Sequence, residues 1–258
     1  MEFQAFLGIA VPFLGTALGA ALVFFTKNIS YKVSSALGGF AGGVMIAASV
    51  FSLLIPAMEW SVGLGVLSFL PASVGFIFGA GFFLAFDSLI LRMGKTTKIS
   101  DKSGIFGKNA MLTLAVSMHN LPEGVAVGVV YAWLLSGTGD VSVASALALS
   151  VGVAVQNFPE GAIISLPAKA EGMSGFKSFM LGVMSAAVET LGALFAIVLT
   201  ELFLPALPYL LGFAAGAMIY VVVKELIPEA TLCGHTLEAA VSFTFGFLIM
   251  MLLDVALG

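Results

Sequence analysis

Ala5 to Phe25 is a run without a single charge, and the chain repeats such runs from end to end. Spanning ~30 Å of hydrocarbon takes about 20 apolar residues in a helix. Within hydrocarbon every backbone N–H and C=O must be satisfied inside its own segment, which leaves helices or closed barrels. Barrel strands alternate apolar and polar residues, and these runs are continuous. The reading gives eight spans, at 5–25, 36–57, 71–92, 109–133, 142–166, 177–199, 208–227 and 237–256. Only 9% of the 258 residues are charged and 60% are hydrophobic. Soluble domains carry about 25% charged residues, so this chain lacks the means to cover its surface against water. The expected fold class is an all-α integral membrane protein, one polytopic domain over 1–258, with the lipid bilayer as its surroundings.

The few charges fix an expected topology. Lys27 and Lys32 fall between spans one and two, and Arg92, Lys95, Lys98, Lys102 and Lys108 between three and four. Lys169 and Lys177 fall between five and six, and Lys224 near the turn from seven to eight. The other three connections hold no Lys or Arg. Cytoplasmic connections collect basic residues, so all ten fall on the cytoplasmic side, and both termini are expected outside an inner (plasma) membrane. Met1-Glu2 offers no basic lead-in and Phe6 to Phe25 is long enough to stay in the membrane, so the first run is expected as a span and not a cleaved signal. The longest polar stretch, residues 92–108, reads as a flexible loop. Cys233, the one cysteine, excludes an internal disulfide and a Cys-rich zinc site. A net charge of −4 gives no basic footprint for nucleic acid.

Against this apolar background two polar motifs stand out, HNLPEG at 119–124 and QNFPEG at 156–161, on adjacent spans that run in opposite directions. A helix brings residues three and four apart onto one face. His119 and Asn120 therefore share a face with Glu123, and Gln156 and Asn157 share one with Glu160. Packed together, two such helices could surround one cation, or two with the glutamates bridging. Pro122 and Pro159 cannot donate to the carbonyls of Met118 and Val155, which kinks the helix, and broken backbone in a membrane is tolerated where it lines a cavity. Gly124 and Gly161 allow close helix approach.

Glu189 adds a third carboxylate midway through span six. Each carboxylate costs about 3 kcal/mol at the bilayer centre, and no Lys or Arg lies deep enough to pair with them. A cation from outside the chain is the expected partner. A lone intramembrane histidine is ordinarily a hydrogen-bonded structural residue. The duplicated motif and Glu189 weigh against that here. Imidazole suits zinc, iron, copper and nickel, while carboxylate and amide oxygens suit harder ions. The mixed set favours a borderline divalent transition metal such as Zn²⁺ or Fe²⁺. Met45 in span two reads first as core packing, and second as a soft sulfur near the site. Glu225, Glu229, Cys233, His235 and Glu238 gather at the last cytoplasmic turn and read as a solvated cluster before a metal exit station.

A second echo links Gly43-Val44-Met45-Ile46 and Leu54-Ile55-Pro56 of span two to Gly216-Ala217-Met218-Ile219 and Leu226-Ile227-Pro228 of span seven. The two spans run in opposite directions, so the expectation is an inverted repeat of spans 1–3 and 6–8 around spans 4–5, with a binding site near the midplane, as in transporters.

With eight spans, HNLPEG on span four, QNFPEG on span five and a glutamate in span six, the chain resembles the ZIP (Zrt- and Irt-like) metal-ion transporters over its whole length. Gln in the second motif resembles the bacterial branch with a binuclear centre. The resemblance implies metal ligation by His119, Asn120, Glu123, Gln156, Asn157, Glu160 and Glu189, with Met45 close by. It further implies uptake of divalent metal into the cytoplasm, a homodimer, and spans one, four, five and six sliding as a unit against two, three, seven and eight. The expected function is therefore transport of Zn²⁺ first, and of Fe²⁺, Mn²⁺ or Cd²⁺, by alternating access. The metal is substrate, and no cofactor or enzymatic activity is expected. An intramembrane metal-dependent hydrolase is the alternative, since zinc with an open position activates water. Against it, HExxH and GxSxG are both missing. A metal-sensing receptor would need an output domain, and none is visible.

Overall fold

A computed structural model of the chain describes residues 2–26, 30–96, 108–137, 141–170, 172–202, 206–232 and 234–257. Among these residues the regular structure is helical, without strands. Eight long helices follow one another: α1 Glu2–Ala21, α2 Tyr31–Trp60, α3 Phe69–Thr96, α4 Lys108–Ser136, α5 Val143–Ala170, α6 Gly175–Leu202, α7 Leu207–Thr231 and α8 Thr236–Leu257. Each overlies an expected span, α1 ending at Ala21 short of residue 25 and α5 starting one residue late, and most run a few residues past the span at one end or both. Hydropathy marks only the hydrocarbon part of a helix, whereas the backbone ladder continues into the polar interface. The loop expected over 92–108 accordingly begins later, because α3 runs on to Thr96, and residues 97–107 lie outside the described residues. Seven helices are long and apolar enough to cross a membrane; α4, whose side chains are described only from Asn120 on, is not in that set. Glycines in the left-handed region, Gly137 at φ 62° and Gly172 at φ 101°, follow the ends of α4 and α5, where a side chain would be strained.

The helices pack as four close pairs: α1 with α5, α2 with α8, α3 with α7 and α4 with α6. Glycines four residues apart make each approach. A Cβ on Gly39 or Gly43 would lie 2.3 or 2.0 Å from the carbonyl oxygen of Ala239 or Phe243 on α8. Gly75 and Gly79 of α3 meet the Tyr209 and Phe213 carbonyls of α7 in the same way, Gly15 and Gly19 meet Ala154 and Phe158 of α5, and Gly124 and Gly128 meet Glu189 and Ala193 of α6. Lipid tails are as apolar as leucine, so helices in a bilayer associate through such close van der Waals contact and not through hydrophobic burial. Exchanging α1 with α6, α2 with α7, α3 with α8 and α4 with α5 maps this set of pairs onto itself, as an inverted repeat requires.

The echo between spans two and seven is also a backbone feature. Both helices widen to a π turn directly before Ile-Pro, at Ser49–Leu54 and at Val222–Leu226. The Ile55 N–H bonds the Val50 carbonyl and the Ile227 N–H bonds the Val222 carbonyl, each five residues back. Pro56 and Pro228 cannot donate to the carbonyl four back, so the ladder is broken at that turn anyway and closes wide.

Contacts at the helix ends sort the connections. Lys32 pairs with Glu238 at 3.3 Å where α2 and α8 begin. Lys169, closing α5, donates to the carbonyls of Val23 and Thr26 just past α1. Phe24 and Phe179 meet with ring centroids 5.3 Å apart. One end of the bundle thus holds Lys32, Lys169 and the start of α6. At the other end Trp60 of α2 and Trp133 of α4 meet edge to face at 4.9 Å. The main apolar core draws on all eight helices and includes Leu53, Ala126–Val127, Tyr131, Leu149, Leu211 and Met250. On α5 its buried members stop at Val153. A second, small cluster of Val23, Ala162 and Leu166, with Leu22 and Phe179 against it, belongs to the turn that closes α1 and to α5 and α6.

Candidate metal centre

Between these two clusters lie the polar residues of α4, α5 and α6. Both motifs sit inside helices that run through Pro122 and Pro159 without a break. Asn120, Glu123, Gln156 and Asn157 are fully buried, Glu189 is 3% exposed and Glu160 7%. The three carboxylates lie within electrostatic reach of one another, Glu123 facing both Glu160 and Glu189, and Glu160 facing Glu189. Gln156 stands beside Glu123. The i,i+3 and i,i+4 spacing thus turns Glu123 and the 156–160 pair toward a common point, and α6 closes it with Glu189.

The amides are held from outside this cluster. Asn120 Nδ2 donates to Ser185 Oγ of α6 at 2.7 Å. Asn157 Nδ2 donates to Glu189 Oε2 at 2.7 Å and to the Pro12 carbonyl of α1 at 3.4 Å. What remains is a set of buried oxygens without a hydrogen bond among the described residues: Oδ1 of Asn120, Oδ1 of Asn157, Oε1 of Glu189, both Glu123 oxygens and Oε1 of Gln156. Buried polar groups are nearly always partnered, and each that is not costs about 1–3 kcal/mol, more when charged. The convergence of so many acceptors, with no Lys or Arg beside them among the described residues, describes a place for a cation. Among the described residues no three His, Cys, Asp or Glu side chains stand close enough to hold a metal by themselves. A cation here needs the amide oxygens as well.

His119 lies in α4 immediately before Asn120, and its side chain falls outside the described residues. Met45 is fully buried within the main apolar core, and its carbonyl accepts from Ser49 Oγ at 2.8 Å. At the last turn His235 Nδ1 comes within 3.7 Å of Glu238, which also pairs with Lys32, while Cys233 lies outside the described residues. Asp254, near the end of α8, accepts from Ser52 in the π turn of α2. Two partners in the centre went unread in the sequence. Ser185 is one helical turn before Glu189 and so on its face, a signal that was available. The Pro12 carbonyl, on α1, carried none.

Comparison with known proteins gives the family. The family profile described as ZIP Zinc transporter matches residues 94–254. The zinc transporter ZIP11 of Homo sapiens is 33% identical, over 99% of this chain and 98% of its own length. The zinc transporter ZIPB of Bordetella bronchiseptica is 36% identical over 98% of this chain and 81% of its own, and the zinc transporter GufA of Myxococcus xanthus 34% identical over 94% of each. With its paired motifs buried against a third glutamate, and with relatives matched along nearly its whole length, this chain belongs to the ZIP zinc transporter family.

Proposed function

We propose that this transporter takes up Zn²⁺ first, and Fe²⁺, Mn²⁺ or Cd²⁺, into the cytoplasm through the centre on α4, α5 and α6. That the chain is a divalent-metal transporter and not an enzyme follows from its family and from relatives that are zinc transporters; the hydrolase reading has no support. The observation that carries the assignment of the site is the convergence of Glu123, Glu160 and Glu189 in one buried place, rimmed by amide oxygens that have no hydrogen bond among the described residues.

The proposed ligands are His119, Asn120, Glu123, Gln156, Asn157, Glu160 and Glu189. Glu123 and Glu160 bridge two metals, with His119 and Gln156 belonging to the first and Asn120, Asn157 and Glu189 to the second. Met45 borders the site from α2. Movement is by alternating access, α1, α4, α5 and α6 shifting against α2, α3, α7 and α8. The unequal clusters support this, since the core shared by all eight helices lies on the Trp60–Trp133 side of the centre. Both termini face outward from the inner membrane, and assembly is as a homodimer, the latter carried over from the family resemblance alone. Zn²⁺ uptake into proteoliposomes tests the assignment. Wild type is expected to fill the vesicles, while Glu123→Ala and Glu160→Ala fall to the rate of empty liposomes. Uptake by either variant at the wild-type rate would put the path elsewhere.

A further inference from the structure

The two asparagines occupy the same place in the two motifs, and α6 treats them alike. Asn120 gives its amide hydrogen to Ser185 and Asn157 gives its own to Glu189, both at 2.7 Å. Ser185 and Glu189 are one helical turn apart on α6. In both cases Oδ1 is left buried and unpartnered among the described residues. An amide offers a metal only its oxygen, because the nitrogen lone pair is delocalised and its hydrogens are donors. Which end of the side chain faces the carboxylates is therefore decided by what receives the NH₂ group at the other end.

We propose that Ser185 is a positioning residue of the metal centre: its hydroxyl oxygen receives the Asn120 amide hydrogen and so turns Asn120 Oδ1 toward the cation. A serine within a helix ordinarily sends its own proton to a carbonyl one turn back, which leaves its lone pairs for Nδ2. Ser185 is fully buried, so water does not replace it. Without the hydroxyl, Nδ2 has no acceptor in this direction and the amide is free to reverse, presenting donors where an oxygen is needed. On α6 the serine thus does for the first motif what Glu189 does for the second. Glu189 orients and is itself a proposed ligand; Ser185 orients only.

The inference rests on the reading of the centre as the cargo site. Calorimetric Zn²⁺ binding by the detergent-solubilised full chain separates the two. Ser185→Thr keeps a hydroxyl and Ser185→Val has the same shape without one. The threonine variant is expected to bind as wild type, and the valine variant to bind about tenfold to a hundredfold more weakly, the usual effect of losing a group that orients a ligand. In an Asn120→Ala background the two are expected to bind alike, because the side chain they orient is gone. Equal binding by Thr and Val in the wild-type background, or the same loss from Val in the Asn120→Ala background, would overturn the assignment. If the valine variant is not folded by thermal unfolding, Ser185→Ala, which cannot clash, takes its place against Thr with the same expectations. Wild type that binds no Zn²⁺, or Glu160→Ala that binds as wild type, would instead remove the cargo-site reading beneath it.

Discussion

At the scale of the residue, the centre is a contest between desolvation and a missing charge. Three glutamates within electrostatic reach of one another, buried in the bundle, are tolerable when a divalent ion neutralises them. Glu160→Ala is expected to abolish transport and weaken both metal positions, since it removes a bridging charge from a low-dielectric site. Asn120→Ala removes one neutral ligand and is expected to lower occupancy of the second position while sparing the first. Anomalous scattering at the zinc edge from crystals of each variant reads the two occupancies separately. The spacing within each motif made Glu123 and Glu160 legible, because three and four residues always share a helical face. The orientation of the amides was not legible. It depends on acceptors 65 residues away for Asn120 and 32 and 145 away for Asn157, on helices whose rotation no local spacing fixes.

At the scale of the element, glycine spacing decides which helices touch. Gly43 and Phe243 leave no room for a Cβ, which would sit 2.0 Å from a carbonyl oxygen that cannot swing aside. Gly43→Ala is therefore expected to lose about 1–3 kcal/mol, the ordinary cost of overpacking. Gly63, with nothing within 4 Å of the added carbon, is the control, and Gly63→Ala is expected to unfold with wild type. Thermal unfolding in detergent compares them. Equal melting of both variants would mean that close backbone contact does not hold α2 to α8. That each span was a helix followed from its length and apolar content, and the Ile-Pro echo marked two related helices. The pairing itself was hidden, since a Gly-x-x-x-Gly face says that a partner approaches and not which of seven it is. The π turns were hidden too, because one extra residue in a turn changes no hydropathy.

At the scale of the whole molecule, a shared core at one end and a three-helix cluster at the other give the bundle a closed side and a side where the two groups of helices have less to hold them. Trp60 and Trp133 join the two groups at the closed side. Cysteines in their place, in a Cys233→Ser background, tied by a short bifunctional thiol reagent, are expected to stop Zn²⁺ uptake, and cleavage of the link is expected to restore it. Uptake that continues through the link would exclude motion at that seam. Which face is cytoplasmic rests on the basic residues. Cysteines at Ser103 and Thr138 are expected to label from opposite sides of the membrane, and labelling from one side would break the eight-span topology. The central claim is that a divalent metal sits where the two N-x-P-E-G motifs face Glu189. Anomalous diffraction from wild-type crystals grown with Zn²⁺ tests it most directly. Zinc density among Glu123, Glu160 and Glu189 is the expected result; density confined to the Glu238–His235 turn, with none between α4, α5 and α6, would contradict it.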